Sequence, residues 1–343
     1  MSLGYIGSKT KLLPFLKESI EKYICKPLSE VESFLDGFSG TGVVSNMMIS
    51  NCKKVISNDI QYYSFIVCSV LTDYNLNENK LQEIIKELNE INCDNPNESD
   101  FIYYNYTPHN SCERMYLTNE NGIKVDRIRK RINELIDNLT FQEYHYLIKL
   151  LLYATSKVSN TSSTYGAYLK QFKPSAKKTL TLIQTKLTTS ECVTECFNKD
   201  ISELLNTVEY TEIFYIDSPY NSRNYSTNYF LLETIAKYDN PQIKGKTGLR
   251  VDTSTDSKFC SKVKAKKEFE IVLSKVKSKF VFISYNSESI VSKQDIINIL
   301  NVNFTNVICY EKEYKRFKSN NNGDQNKTVQ EFLFASTNKV NYK

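Results

Sequence analysis

The chain has 343 residues, of which 41% are hydrophobic, so it is long enough for two domains or for one large domain with an insertion. The 44 lysines and arginines exceed the 39 acidic residues and give a net charge of +5, which permits a polyanionic partner without requiring one. Nine irregularly spaced cysteines without a CxxC pair, and only two histidines, favour neither a disulfide framework nor a metal site. With no long apolar run and no signal-like start, we expect a soluble, cytoplasmic protein.

Helical and strand patterns alternate over the first 75 residues. A helix is predicted at 11–24, a strand at 33–38, a helix at 43–49, a strand at 53–59 and a further helix from Gln61. Strands that alternate with helices indicate a parallel sheet with helical crossovers, which is an α/β fold.

A glycine-rich turn joins the first predicted strand to its helix. The segment FLDGFSGTGVVS places Asp36, Gly37, Gly40 and Gly42 where backbone can approach a ligand closely and where helix N-terminal amides are free. The order GxxGxG differs from the GxGxxG of dinucleotide-binding proteins, which argues against an NAD enzyme. Asp59 ends the next strand, where an acid commonly binds ribose hydroxyls. An adenosine-bearing cofactor fits this pattern, and so does a plain tight turn with a surface aspartate.

The middle of the chain has a different composition. Long helical patterns such as KLQEIIKELNEI and FQEYHYLIKLLLYATSKV are separated by turn-rich breaks between about residues 75 and 195. From about residue 198 a second block of strands and helices follows. An insertion of helices into an α/β sheet is the simplest description, with a catalytic domain formed by 1–75 and 198–343 and an insertion formed by 76–197.

The tetrapeptide Asp217-Ser218-Pro219-Tyr220 follows the apolar run EIFYI, so it lies where a buried strand opens into a cleft. The Asp217 carboxylate and the backbone carbonyl of residue 218 can accept hydrogen bonds from both N–H groups of an exocyclic amine such as N6 of adenine. The nitrogen lone pair is then free to attack a sulfonium methyl group, by orientation and electrostatic stabilisation without a metal. Tyr220 can stack on a base that has left the duplex. Alone, such a tetrapeptide is also a common turn.

Five short motifs occur along the chain in a specific order. They are YIGSK at 5–9, DGFSGTG at 36–42, ND at 58–59, NKD at 198–200 and DSPY at 217–220. Together they resemble the motifs of D12-class DNA adenine-N6 methyltransferases. Segments such as ERMYLTNENGIKVDRIRKRI and TYGAYLKQFKPSAKKTL are similar to the type II restriction-modification adenine methylases within that class. The resemblance covers nearly the whole chain.

The resemblance implies a Rossmann-like S-adenosylmethionine-dependent methyltransferase sheet with an inserted, mainly helical target-recognition domain. Lys9, with Tyr5 nearby, would meet the carboxylate end of the cofactor. Asp36 and the backbone of Gly40 and Gly42 would line its methionine part. Asp59 would hold the ribose and Asp200 the adenine amine. Phe38, Ile60 and Ile201 complete the predicted cofactor site. The family most often has DPPY, and Ser218 here replaces the first proline, at a cost in rigidity.

Several segments mix cations with aromatic or small polar residues, and these are the candidates for phosphate contacts: 124–131, 167–178, 244–250, 261–267 and 312–318. Within the first of them, Arg127 and Arg131 share a helix face, whereas Arg129 does not. A solvated charged surface explains the same pattern.

The resulting hypothesis is a methyltransferase that modifies N6 of a flipped adenine in a short duplex DNA site, as part of a restriction-modification system with a partner endonuclease. An N4-cytosine methyltransferase presents similar groups to an exocyclic amine and is one alternative. A DNA-binding relative with weak catalysis is another, because of Ser218, and RNA is a less favoured substrate.

Overall fold

The computed structural model describes residues 3, 7–72, 76–109, 112–252, 254–315 and 328–340, without the side chains of residues 314 and 315. The chain divides into two compact units. One consists of Met1–Ile6, Ser69–Thr189 and Ser226–Thr255, and the other of Gly7–Cys68, Ser190–Tyr225 and Asp256–Lys343. We call the first the helical unit and the second the sheet unit. In the described part of the chain, no helix is long and apolar enough to cross a membrane.

Nine strands are assigned within the described residues. They are β1 (Ser33–Asp36), β2 (Lys54–Asn58), β3 (Val193–Phe197), β4 (Thr211–Ile216), β5 (Ile243–Lys244), β6 (Leu249–Arg250), β7 (Ser278–Asn286), β8 (Phe304–Lys315) and β9 (Thr328–Asn338). Seven form one sheet in the order β3-β2-β1-β4-β7-β9-β8, and β5 pairs with β6 in a separate hairpin.

Helices connect most of these strands. They are α1 (Leu13–Ile24), α2 (Val43–Ile49), α3 (Tyr62–Cys68), α4 (Glu78–Asn89), α5 (Phe101–Tyr106), α6 (Asn119–Glu134), α7 (Phe141–Val158), α8 (Ile201–Thr207), α9 (Tyr225–Asn228), α10 (Phe230–Lys237), α11 (Ala265–Ser274) and α12 (Lys293–Asn303). A 3-10 turn, Lys9–Leu12, leads into α1. The helices predicted at 11–24, 43–49 and from Gln61 are confirmed.

The sheet is parallel from β3 through β2, β1 and β4 to β7. The strand β9 runs antiparallel to both β7 and β8. The alternating pattern of the sequence therefore predicted the parallel part but not the reversal of β9. A parallel neighbour requires a crossover connection, whereas an antiparallel pair needs only a short link, and no helical pattern separates β8 from β9.

The parallel strands bring the candidate residues to one edge of the sheet. Asp36 ends β1, Asp59 follows β2, Asp200 comes three residues after β3, and Asp217 directly follows β4. In open α/β sheets, ligands bind beyond the carboxyl ends of the strands. The fold thus gathers residues from four separate sequence segments at the edge where a ligand is expected.

The two faces of the sheet are apolar because helices cover both of them. One face is part of a buried cluster that includes Phe214 and Ile216 of β4, Ile283 of β7, and Phe332 and Phe334 of β9. We call this the cluster face. On the opposite face, the Tyr23 ring of α1 lies edge-on to the Phe282 ring of β7, with 5.6 Å between centroids.

The helical unit is built around α7, the 18-residue helix predicted from the sequence. Thr140 and Glu143 form a reciprocal capping box at its start, which satisfies backbone amides that would otherwise lack partners. In α6, Arg129 is buried and donates to the carbonyl oxygens of Ile235 and Ala236 in α10. A buried guanidinium thus joins α6 to the last turn of α10.

The unit boundaries differ from the predicted insertion at 76–197, because the corresponding stretch of the helical unit runs from Ser69 to Thr189. The helical unit also contains Ser226–Thr255, and β3 at 193–197 belongs to the sheet unit. The assignment of the inserted helices to target recognition stays a prediction.

Gly37 provides a stability prediction, because a Cβ at this position would lie 2.7 Å from the Phe214 ring. We expect Gly37→Ala to lower the free energy of unfolding by about 1–3 kcal/mol, since overpacking displaces buried neighbours. Urea unfolding followed by circular dichroism measures this. Gly166→Ala is the matched control, because its Cβ would have no neighbour nearer than 3.8 Å. Equal stability of the two variants would contradict the packing argument.

Candidate active site

Asp217 lies directly after β4, whose six residues are all buried. Its Oδ1 atom is 2.8 Å from Nζ of Lys9, which leads the first helix of the sheet unit. Lys9 is 6% exposed, and the Asp217 side chain is 19% exposed. The structure therefore pairs two predicted site residues, of which Lys9 was expected to contact the cofactor. That cofactor contact stays a prediction.

The ion pair sits in a desolvated environment with a further carboxylate. Burial raises the pKa of Asp217, while the positive charge of Lys9 opposes this shift. Burial acts to lower the pKa of Lys9, but the charges of Asp217 and Glu331 outweigh it and raise that pKa. Burial likewise raises the pKa of the Glu331 carboxyl at the start of β9. The ammonium thus pairs directly with Asp217, while the charge of Glu331 acts on it from a greater distance.

Ser218 and Pro219 are both buried. The Ser218 Oγ atom has no hydrogen-bond partner among the described residues. A buried hydroxyl without a partner costs free energy. The Ser218 hydroxyl therefore does not stabilise the turn, and an alanine at this position would stabilise it at least as well.

Tyr220 is half-buried and packs against the apolar cluster face of the sheet. Its backbone carbonyl accepts a hydrogen bond of 3.0 Å from the amide of Ile290. Gly7 lies beside the ring, because a Cβ on Gly7 would be 3.5 Å from Cε1 of Tyr220. The predicted cofactor residue Tyr5 lies outside the described residues.

The glycine turn after β1 adopts a backbone that favours glycine. Gly40 has φ of 51° and Gly42 has φ of 72°, both in the left-handed region. The Gly40 amide donates a 2.8 Å hydrogen bond to Oδ2 of Asp59, and the Gln61 amide donates one to Oδ1. Asp59 therefore holds the glycine turn in place, a role additional to the predicted ribose contact.

Asp36 is 1% exposed at the end of β1. Its Oδ2 atom accepts a 2.7 Å hydrogen bond from Ser45, whereas Oδ1 has no partner among the described residues. Burial raises the pKa of Asp36 to about 7, with smaller opposing and supporting effects from Ser45 and Asp217. A buried carboxylate oxygen without a donor is a binding position for a cationic group, such as an amino-acid ammonium.

The remaining predicted cofactor residues lie around the same edge. Asp200 caps α8, because its Oδ1 accepts a hydrogen bond from the Ser202 amide. Ile201 is buried and lies near Gly37, and the Phe38 ring meets the Phe259 ring edge-on. Ile60 is half-buried, and its carbonyl accepts a hydrogen bond from Asn198. All described members of the predicted cofactor site thus belong to the sheet unit.

Two asparagines connect the loops of this edge, and neither had been assigned a role from the sequence. Nδ2 of Asn58 donates to the carbonyls of Gly37 and Lys199. Nδ2 of Asn198 donates to the carbonyls of Asp59 and Ile60. The ND and NKD motifs contain these residues, so the signal was present. Glu331 was also missed, and no motif marks it.

Most cationic side chains of the basic segment 124–131 contact other residues of the helical unit. Lys130 pairs with Asp100 at 2.6 Å, and Arg131 pairs with Glu87 at 2.6 Å. Arg129 is buried, as described above, so it is not free for phosphate. In segment 167–178, by contrast, Lys170 and Lys177 are exposed. Segment 312–318 extends beyond the described residues.

Comparison with known proteins gives a consistent result. The family model of D12 class N6 adenine-specific DNA methyltransferases matches residues 5–299. The type II methyltransferase M.NlaIII of Neisseria lactamica is 34% identical over 326 residues, which are 94% of this chain and 95% of that protein. M.CviAII of Paramecium bursaria Chlorella virus 1 is 32% identical and covers 97% of both chains. M.FokI of Planomicrobium okeanokoites is 34% identical over 97% of this chain but 52% of its own length, so the chain spans about half of that relative.

These matches confirm the family that the five motifs resemble and, with the mostly parallel sheet, the Rossmann-like methyltransferase fold.

The raised pKa of Asp36 predicts how stability depends on pH. The folded state holds a proton on Asp36 up to about pH 7, whereas the unfolded chain releases it near pH 4. This group therefore makes the free energy of unfolding fall as pH rises from about 4 to 7. In urea titrations from pH 5 to 8, Asp36→Asn should flatten that fall and be the more stable protein at pH 8. Parallel curves for the two proteins would contradict the buried-carboxyl interpretation.

Proposed function

We propose that this chain, which belongs to the D12 class of N6 adenine-specific DNA methyltransferases, transfers a methyl group from S-adenosylmethionine to N6 of an adenine flipped out of a short duplex DNA site. The observation that carries the proposal is the Asp217 carboxylate, which is half-buried directly after β4, pairs with Lys9 and lies at the same sheet edge as the glycine turn after β1. The tetrapeptide alone is compatible with an adenine or a cytosine substrate, and membership of this family favours adenine.

The residues at the sheet edge fit S-adenosylmethionine. The free Oδ1 of Asp36 suits the ammonium of the methionine part, and Gly40 and Gly42 leave room for backbone to approach it. Asp59 and Asp200 are placed after β2 and β3, on the side where the ribose and adenine would lie. S-adenosylmethionine, when bound, supplies a methyl group on a positively charged sulfur that leaves as a thioether.

Asp217 and the carbonyl of Ser218 act on the target amine. The two acceptors each accept a hydrogen bond from one N–H of the amine. The nitrogen lone pair then no longer delocalises into the ring and can form the new bond to carbon. The carboxylate also stabilises the positive charge that develops on nitrogen. Asp217 then accepts the surplus proton from nitrogen, which its burial-raised pKa favours.

Tyr220 holds the base during this step. Tyr220 packs against the residues of the cluster face. Stacking on a tyrosine replaces part of the stacking energy that the base loses on leaving the duplex, and base–aromatic stacking contributes about 1–3 kcal/mol. The inserted helices would then hold the duplex, with phosphates neutralised by exposed cations such as Lys170 and Lys177.

Similarity to type II methyltransferases supports a role in restriction-modification. In such a system the methyl group protects the host site from a cognate endonuclease that reads the same sequence. The partner of this chain would therefore be duplex DNA, with an endonuclease acting on the same site but not in the same reaction.

The assignment of Asp217 is tested by Asp217→Asn, which keeps the size and removes the charge. We expect methyl transfer to unmethylated duplex DNA to fall at least ~100-fold, because one group that stabilises transition-state charge is lost. DNA affinity should stay within a few-fold of the wild type. Single-turnover transfer of a labelled methyl group and mass spectrometry of the nucleosides measure the outcome.

Asp295→Asn is the matched control, since Asp295 forms an exposed ion pair with Lys266 in the same unit. Near-normal turnover of Asp217→Asn would defeat the mechanism. N4-methylcytosine in the wild-type product, or no methylated nucleoside at all, would defeat the proposed function.

The serine in the tetrapeptide yields a second prediction. Only the backbone carbonyl of Ser218 takes part, and its buried hydroxyl has no partner among the described residues. We therefore expect Ser218→Ala to keep the transfer rate within a few-fold of the wild type and to leave the unfolding free energy unchanged or up to about 1 kcal/mol higher. A large loss of transfer with intact folding would show that the hydroxyl itself contacts substrate.

A further inference from the structure

The face of the sheet that carries Asp217 also carries Glu331. Side chains alternate between faces along a strand. Phe214 and Ile216 of β4 belong to the cluster face, so Asp217 is directed to the opposite face. Phe332 and Phe334 of β9 also belong to the cluster face, so Glu331 is directed to the opposite face as well. The two carboxylates therefore share the face opposite the cluster.

The two residues also lie at the same edge of the sheet. Glu331 is the register partner of Asn286, the last residue of β7, and β7 is the strand next to β4. Because β9 is antiparallel, its first residues reach the edge where the parallel strands end. The reversal of β9 is thus what brings a second carboxylate to the Asp217 edge.

Lys9 lies on the same face as these two acids. The helix that follows it, α1, packs there, since Tyr23 of α1 is hydrogen-bonded to Oγ1 of Thr337 in β9 at 2.9 Å. Lys9 itself is buried and lies 2.8 Å from Asp217. The charge of Glu331 supports the protonated form of Lys9, and the charge of Lys9 supports the ionised form of Glu331.

Charge balance during transfer requires more than one carboxylate here. In the free enzyme, Lys9 is neutralised by Asp217. During transfer the target nitrogen becomes positive, so two cations would face a single carboxylate. When Asp217 then takes the surplus proton, Lys9 loses the protein carboxylate that neutralised it. A buried ammonium without a partner is strongly unfavourable, so a second acid nearby would lower the barrier to this sequence.

We propose that Glu331 is a positioning residue whose carboxylate pairs with the Lys9 ammonium while Asp217 binds and deprotonates the target amine. This inference rests on the proposed function. Glu331 touches neither substrate nor cofactor in this role, and acts only through Lys9. It lies beyond the residues 5–299 that match the family model.

The test is a double-mutant cycle measured by single-turnover methyl transfer to duplex DNA. Glu331→Gln should slow transfer by about tenfold or more, while the affinities for DNA and S-adenosylmethionine stay within a few-fold of the wild type. Glu331→Asp should recover part of the rate, because it restores the negative charge. In a Lys9→Met background, Glu331→Gln should have little further effect, because the cation it serves is gone.

The matched control is Glu311→Gln, since Glu311 is an exposed residue of the neighbouring strand β8 and its carboxylate pairs with a lysine, Lys293. Thermal melting of every variant identifies a loss of folding, and a variant that fails to fold is judged by the Glu331→Asp recovery instead. An unchanged rate in Glu331→Gln, no recovery in Glu331→Asp, or an equal loss with and without Lys9 would each overturn the inference. A wild-type enzyme that transfers no methyl group overturns the proposed function and this inference with it.

Discussion

The buried ion pair between Lys9 and Asp217 is the interaction on which the arrangement of this site depends. A carboxylate that must stabilise positive charge is most effective away from water, yet burying it alone is costly. The protein places an ammonium 2.8 Å away, on the turn that opens the first helix of the sheet unit. The ammonium stabilises the carboxylate in the free enzyme, and it is also a competitor for the same oxygen. The chemistry proposed for Asp217 therefore needs an environment in which this pair can be rearranged.

The rest of the sheet edge is held rigid around that pair. Asn58 joins the loop after β1 to the loop after β3, and Asn198 joins the loop after β3 to the one after β2. Asp59 fixes the glycine turn through the amide of Gly40. These bonds link loops that are distant in sequence and hold the predicted cofactor residues at a fixed spacing. Groups held in advance cost less entropy when substrates bind, and preorganised dipoles stabilise a developing charge more strongly.

Much of this could be predicted from the sequence, for physical reasons. The hydrophobic periods located β1, β2, β4 and α7, and the parallel order followed from the alternation of strands with helices. Parallel strands end at one edge, so acids after four of them had to meet there. The partner of Lys9 was not predictable, because an ion pair across 208 residues leaves no local pattern. Glu331 was equally hidden, since its position depends on the direction and register of β9.

The basic segments show a second limit of prediction from the sequence. A run such as KVDRIRKR looks like a phosphate-binding segment, because composition alone does not distinguish a solvated arginine from a buried one. In the structure, Arg129 fastens α6 to the last carbonyls of α10, and Lys130 and Arg131 are paired with acids of the helical unit. Two of the acids that neutralise them, Asp100 and Glu87, are remote in sequence. Local charge density therefore overstates the cations available to DNA here, and phosphate affinity must come from segments whose lysines have no acid within reach.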